Sequence, residues 1–201
     1  MNTQNNATIQ QMNNVVLQIP NSSVVCSLKK ISAGLNKYLN ITNTFNPVNI
    51  SNNQGFQSVY VSFYRMHKNR FPNQPQSLTA YFSYLQAGKN SVPTLTATLN
   101  YLQRHTNRIE TSFASKLLHT LNPNLPILDR KSVGVFNKIG LKMPTGSIPS
   151  AVNLYNLFEQ WYQQFIPSQL GQRWISMFNQ AYPHAVGISD LKKIDFILWK
   201  I

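Results

Sequence analysis

The chain carries one cysteine, Cys26, in 201 residues. A lone thiol excludes a disulfide framework, a cysteine-rich zinc module and a four-cysteine iron–sulfur cluster. It also makes a reducing compartment the default. Acid is nearly as scarce: 5 Asp+Glu face 18 Lys+Arg, a formal net charge of +13. Charged residues total only 11%, so the imbalance comes as much from missing acids as from added bases. No apolar run approaches the roughly 20 residues a membrane helix needs. The first residues lack the basic start and apolar core of a secretory signal. The expected location is therefore the cytoplasm, at the nucleoid. The eight glycines are isolated, with no Walker or dinucleotide pattern among them. His67, His105, His119 and His184 have no metal-ligand spacing with acids or with Cys26. Each reads as a surface or half-buried histidine, and neither metal nor cofactor is expected.

What is abundant is apolar and aromatic. Hydrophobic residues make up 42%, with 11 Phe, 9 Tyr and 3 Trp, enough for the core of one domain. No alternating strand pattern and no internal repeat stands out. Apolar residues recur instead at helical spacing, as in Leu28, Ile31, Leu35, Tyr38 and Leu39. The spacing predicts an all-α, single compact domain of about eight or nine helices over 21–201. Residues 1–20, rich in Asn and Gln, read as a flexible, disordered segment. Helices are expected over 24–39, 59–71, 77–88, 93–104, 108–121, 130–139, 152–165, 170–181 and 190–199, with a long loop over 40–55. Asn107 and Glu110 have the spacing of a capping box opening the helix over 108–121.

That helix leads into the most informative stretch, Glu110 to Val133, ETSFASKLLHTLNPNLPILDRKSV. Ile109, Phe113, Ala114, Leu117, Leu118 and Leu121 form a broad apolar face. Ser112, Ser115, Lys116 and His119 share the opposite arc, with Lys116 near its border. Pro123 and Pro126 stiffen the loop that follows, and Asp129 opens the next helix. A lysine near a loop-borne carboxylate is the minimal equipment for amine-nucleophile chemistry. The acid can take the amine's proton and steady a cationic sugar. The plain alternative is a solvated helix lysine and an aspartate acting as an N-cap.

The order of features, lysine helix, Pro-rich loop, then aspartate opening a helix, resembles the helix-hairpin-helix DNA glycosylase superfamily. It is nearest in style to the 8-oxoguanine glycosylase-like branch and its short bacterial relatives. The residues that carry the resemblance are Ser112-Phe113-Ala114-Ser115-Lys116 and Asn122-Pro123-Asn124-Leu125-Pro126-Ile127-Leu128-Asp129. The resemblance implies a helix-hairpin-helix glycosylase-like fold and a base-excision glycosylase/lyase. Lys116 would attack the sugar C1′, displace the damaged base and form a Schiff base, and Asp129 would assist. Where the family places a glycine hairpin whose amides hold a phosphate, this chain has Glu110–Ser115 without a glycine.

Eleven of the eighteen basic residues fall between Arg65 and Lys142. Arg65, Lys68, Arg70, Arg104, Arg108, Arg130, Lys131 and Lys138 are the candidates to grip nucleic acid by its phosphates. DNA is the expected partner and RNA would meet the same charges; the expected state is a monomer. Trp161, Trp174, Phe71 and Tyr64 are available to line a base pocket, although such spacing equally suits a core. Two further readings stand beside the enzyme: a non-catalytic basic helical module, and an interaction or defence protein that keeps the fold without the chemistry.

Overall fold

The computed structural model describes residues 2–67, 71–144 and 146–201, and these are all helix, turn and loop. Eleven α-helices follow one another: α1 (Asn2–Leu17), α2 (Asn21–Lys29), α3 (Ser32–Phe45), α4 (Gln54–Tyr64), α5 (Gln76–Gly88), α6 (Leu95–Thr106), α7 (Thr111–Leu121), α8 (Arg130–Gly134), α9 (Ile148–Phe165), α10 (Gln169–Ala181) and α11 (Asp190–Leu198). A 3-10 turn, Asn137–Ile139, lies between α8 and α9. The all-α expectation holds; the count of eight or nine helices was too low, for two reasons.

The first is the amino-terminal segment. In place of a flexible tail, residues 2–17 form α1, which packs on α9. Its polar composition hides a sparse apolar stripe, Ile9, Met12 and Val16, each at most 2% exposed. Asn13 Oδ1 accepts from Trp161 Nε1 at 3.0 Å and fixes the register of the two helices. Burial of one narrow face, rather than the average character of its residues, holds such a helix in place. The second reason is a break at Lys30–Ile31 that divides the helix expected over 24–39 into α2 and α3. α3 then runs on to Phe45, so the expected loop over 40–55 is shorter than its Asn/Thr-rich text suggests.

Helix α4 starts at Gln54 because the Asn53 side chain accepts from Phe56 N at 2.7 Å, an N-cap. It stops at Tyr64, where Arg65 turns left-handed at φ 55 and Met66 N reaches back to Val61 O. The expected continuation to residue 71 therefore fails, and Lys68 and Arg70 lie outside the described residues. The capping box at Asn107 and Glu110 is also overturned. Asn107 ends α6 in a left-handed conformation, and Glu110 stands at the start of α7 with no side-chain cap.

One core runs through the molecule. Trp161, Trp174 and Phe71, available in sequence to line a pocket, are fully buried in it, and Tyr64 is nearly so. Close packing sets some residues absolutely: a Cβ at Gly171, in α10, would stand 2.0 Å from Phe165 O. Helix α7 sits deep in this arrangement, against α5 and α6, which is what makes its polar residues informative.

Candidate active site

Every residue of α7 from Phe113 to His119 is buried, polar ones included. The arc of Ser115, Lys116 and His119 therefore does not face solvent; the Pro-rich loop over 122–129 covers it. Two side chains four residues apart clamp that loop down. Ser115 Oγ accepts from Leu128 N at 3.0 Å and donates to Ser112 O at 3.0 Å. His119 Nδ1 lies 2.7 Å from Leu125 O. A carbonyl can only accept, so Nδ1 carries the hydrogen and Nε2 is left to accept from Tyr38 Oη at 3.1 Å. His119 is thus a neutral internal clamp, not a surface histidine. Burial, with Lys192 nearby, pushes its pKa down to about 3.

The helix itself is anchored from the other side. Tyr81 Oη donates to Phe113 O at 3.0 Å, while Thr120, on α7 itself, donates its Oγ1 hydrogen to Lys116 O at 2.8 Å. Tyr60 Oη joins the two, 2.9 Å from Tyr81 Oη and 3.0 Å from Thr120 Oγ1. Buried hydroxyls satisfied in this way hold a helix in one position, because any shift would strand them.

With loop and helix both fixed, Asp129 follows directly on the clamped Leu128 and meets Lys116. Lys116 Nζ lies 3.3 Å from Asp129 Oδ2 and donates to Ser112 Oγ at 2.9 Å. The amine also lies 5.0 Å from the centre of the Phe113 ring and 5.9 Å from that of Tyr64. Asp129 Oδ1 accepts from Lys131 N at 2.9 Å, so the same carboxylate caps α8. The two sequence-level readings of Asp129, cap and partner of the amine, are both occupied, one by each oxygen.

Lys116 is 7% exposed. Burial pushes its amine below the ordinary lysine value and Lys192 adds to this, while Asp129 pulls the other way. Burial alone would raise the Asp129 carboxyl, but Lys116 and the Lys131 N–H outweigh it and hold the group below the usual range. Glu110, at the start of the same helix, is 6% exposed. Burial raises its carboxyl against the pull of Arg108 and Lys116.

A second ion pair lies behind the first, and sequence reading missed it. Lys192 Nζ donates to Asp195 Oδ2 at 2.7 Å, with both residues at most 4% exposed. Lys192 sits in an aromatic cage, 4.5 Å from the centre of Phe196, 5.0 Å from Tyr38 and 5.5 Å from Phe63. The cap of α11 is Ser189, which accepts from Lys192 N, so Asp195 is left to pair with Lys192. Burial raises the Asp195 carboxyl, with Lys192 opposing. The available signal was a lysine and an aspartate three apart on the same side of α11 as Leu191, Phe196 and Leu198, all of them buried.

The basic candidates do not converge as one group. Arg65 and Lys131 meet over the Trp199 ring, 5.2 and 4.6 Å from its centre, and Lys200 joins them at 4.5 Å. Arg104 lies over Tyr101 of its own helix, 6.0 Å from the ring centre. Arg108 approaches Glu110 at 3.3 Å. Arg130 and Lys138 are exposed, without an ion pair among the described residues. No cluster of His, Cys, Asp and Glu able to hold a metal occurs among the described residues. Among those residues, too, no helix is long and apolar enough to cross a membrane. Compared with protein-family models, with curated proteins and with solved structures, the chain gives no match.

Proposed function

We propose that the protein binds DNA and acts as a base-excision glycosylase/lyase, with Lys116 as nucleophile and Asp129 as its proton acceptor. The observation that carries this reading is the 3.3 Å contact between Lys116 Nζ and Asp129 Oδ2. An ordinary lysine at pH 7 is free amine in only about one molecule in 2,500. Burial and the Lys192 charge shift that balance toward the neutral nucleophile, and Asp129 stands where the departing proton can go.

The chemistry balances with these two groups. Asp129 takes one proton from the Lys116 ammonium. The freed Nζ lone pair forms a bond to the sugar C1′ while the C1′–base bond breaks, its electron pair leaving with the base, which takes that proton from Asp129. The C1′–O4′ bond then opens to an iminium on Lys116. A second proton lost from Nζ passes through Asp129 to the ring oxygen. Ser112 holds the amine between Asp129 and its own hydroxyl in the resting state, and the Ser115 and His119 clamps keep the acid from drifting away.

A second reading, DNA binding without chemistry, is favoured by one observation: the same amine is 7% exposed and paired, as a structural ion pair would be. Borohydride trapping separates the two. On an abasic-site duplex the wild type is expected to give a reduced covalent adduct and Lys116→Gln none. DNA affinity should change by no more than about threefold, since a single charge is removed. Binding without any adduct in the wild type would leave the non-catalytic reading in place.

A further inference from the structure

Three cations surround one indole on this protein, and among the described residues no carboxylate pairs with them. Arg65, Lys131 and Lys200 approach Trp199 to between 4.5 and 5.2 Å of its ring centre. None takes part in the four ion pairs among the described residues. Burial lowers the Lys200 amine first, and the repulsion of Lys131, Arg65 and Lys30 lowers it further. Like charges gathered this closely oppose folding unless something anionic visits them. Trp199 is also the one tryptophan of three that stays outside the buried core.

The cluster is tied to the candidate active site through two separate elements. At the end of α4, Tyr64 lies over the Lys116 amine while the next residue, Arg65, turns left-handed and reaches Trp199. At the start of α8, Asp129 meets Lys116, while Lys131 gives its backbone N–H to Asp129 and its side chain to Trp199. Each element thus contributes one residue to the amine and one to the cationic indole. α11, which presents Trp199, packs on α8.

We infer that Arg65, Lys131 and Lys200 around Trp199 form the phosphate grip of this protein, holding the sugar–phosphate backbone of a DNA strand beside the Lys116–Asp129 pair. The inference rests on the DNA-binding half of the proposed function and not on its chemistry. Arg65 can clamp a phosphate with two parallel hydrogen bonds. Lys131 and Lys200 supply point charges on either side, and the indole offers an apolar face to sugar or base.

The test is fluorescence anisotropy of a labelled abasic-site duplex, titrated with the full-length protein across a salt series. The triple variant Arg65→Gln/Lys131→Gln/Lys200→Gln is compared with a charge-matched control, Lys37→Gln/Lys142→Gln/Arg173→Gln, whose residues are exposed elsewhere. The cluster variant is expected to bind at least about 30-fold more weakly near 0.1 M salt. The slope of log K against log salt should fall by about two to three, roughly one for each phosphate left without its cation. The control should stay within about threefold. Trp199→Ala should weaken binding roughly tenfold with the salt slope unchanged, a readout that does not depend on the charge substitutions. Equal losses in cluster and control variants would reduce the effect to net charge and overturn the inference, as would no salt-sensitive binding by the wild type. A cluster variant that binds poorly while the wild type yields no borohydride adduct would uphold the grip and sink the enzyme. Normal binding by the cluster variant, with wild-type trapping intact, would do the reverse.

Discussion

Asp129 divides its two oxygens between Lys116 and the backbone of α8: Oδ2 lies 3.3 Å from the amine and Oδ1 accepts from Lys131 N. The two tasks differ in what they ask of the side chain. A cap needs only an acceptor, whereas the amine needs a base and a counter-charge.

Asp129→Asn separates them. The amide keeps the cap, because asparagine is as good an N-cap as aspartate, but it cannot take a proton. Schiff-base formation on abasic duplex should slow at least about 100-fold, with DNA affinity unchanged or slightly improved. Leaving the amine without its counter-ion should cost about 2 kcal/mol in urea unfolding, below the full loss of a buried pair because Asp129 is only partly covered. Trapping at the wild-type rate would remove Asp129 from the chemistry.

The pair behind the site behaves differently. Lys192→Met strands the Asp195 carboxylate in the core and should destabilise the protein by about 3 to 5 kcal/mol. Replacing both, as Lys192→Met/Asp195→Leu, should recover most of that loss, since an apolar pair leaves no buried charge. A double variant as unstable as the single one would contradict this.

Acid stability should bear the mark of His119. Its pKa is pushed down to about 3 from 6.5 by burial, so below pH 6.5 the unfolded chain binds a proton that the folded one refuses. Stability therefore falls as pH drops from about 6.5 toward 3. Asp129, held below its ordinary value, acts in the same sense but only at the lower end, below pH 4. The raised carboxyls of Glu110, Glu159 and Asp195 act in the opposite sense. Subtracting the His119→Gln profile from the wild-type one isolates the histidine. The difference in unfolding free energy between pH 6.5 and 4.5 should be positive and on the order of 2 kcal/mol; a flat difference would mean the ring is solvated.

The candidate site was legible in sequence where chemistry is local and hidden where packing decides. The lysine helix, the proline-stiffened loop and the N-cap at Asp129 follow from spacing and turn chemistry alone. The polar arc Ser112, Ser115, Lys116 and His119 was also visible, but the loop that covers it was not. A polar arc normally faces water, and only the covering loop, held by Ser115 and His119, turns it inward. Lys192 and Asp195 escaped because each charge satisfies the other, a pairing that composition cannot reveal. Helix α1 escaped because Asn and Gln dominate its average while three apolar residues do the packing.

For α1 the consequence is measurable. Met12→Ala removes a fully buried side chain from the contact with α9 and should lower stability by about 3 kcal/mol. A change below about 0.5 kcal/mol would return the segment to the flexible tail its composition suggests.

Which amine bonds to the sugar decides between the enzyme and the binding module. The protein is incubated with abasic-site duplex and borohydride, digested, and the modified peptide located by mass spectrometry. The predicted result is one adduct, on Lys116, lost in Lys116→Gln and not transferred to another lysine. A reduced adduct on any other amine, or none under conditions where the duplex is bound, would contradict the claim that Lys116 and Asp129 form a nucleophile and its base.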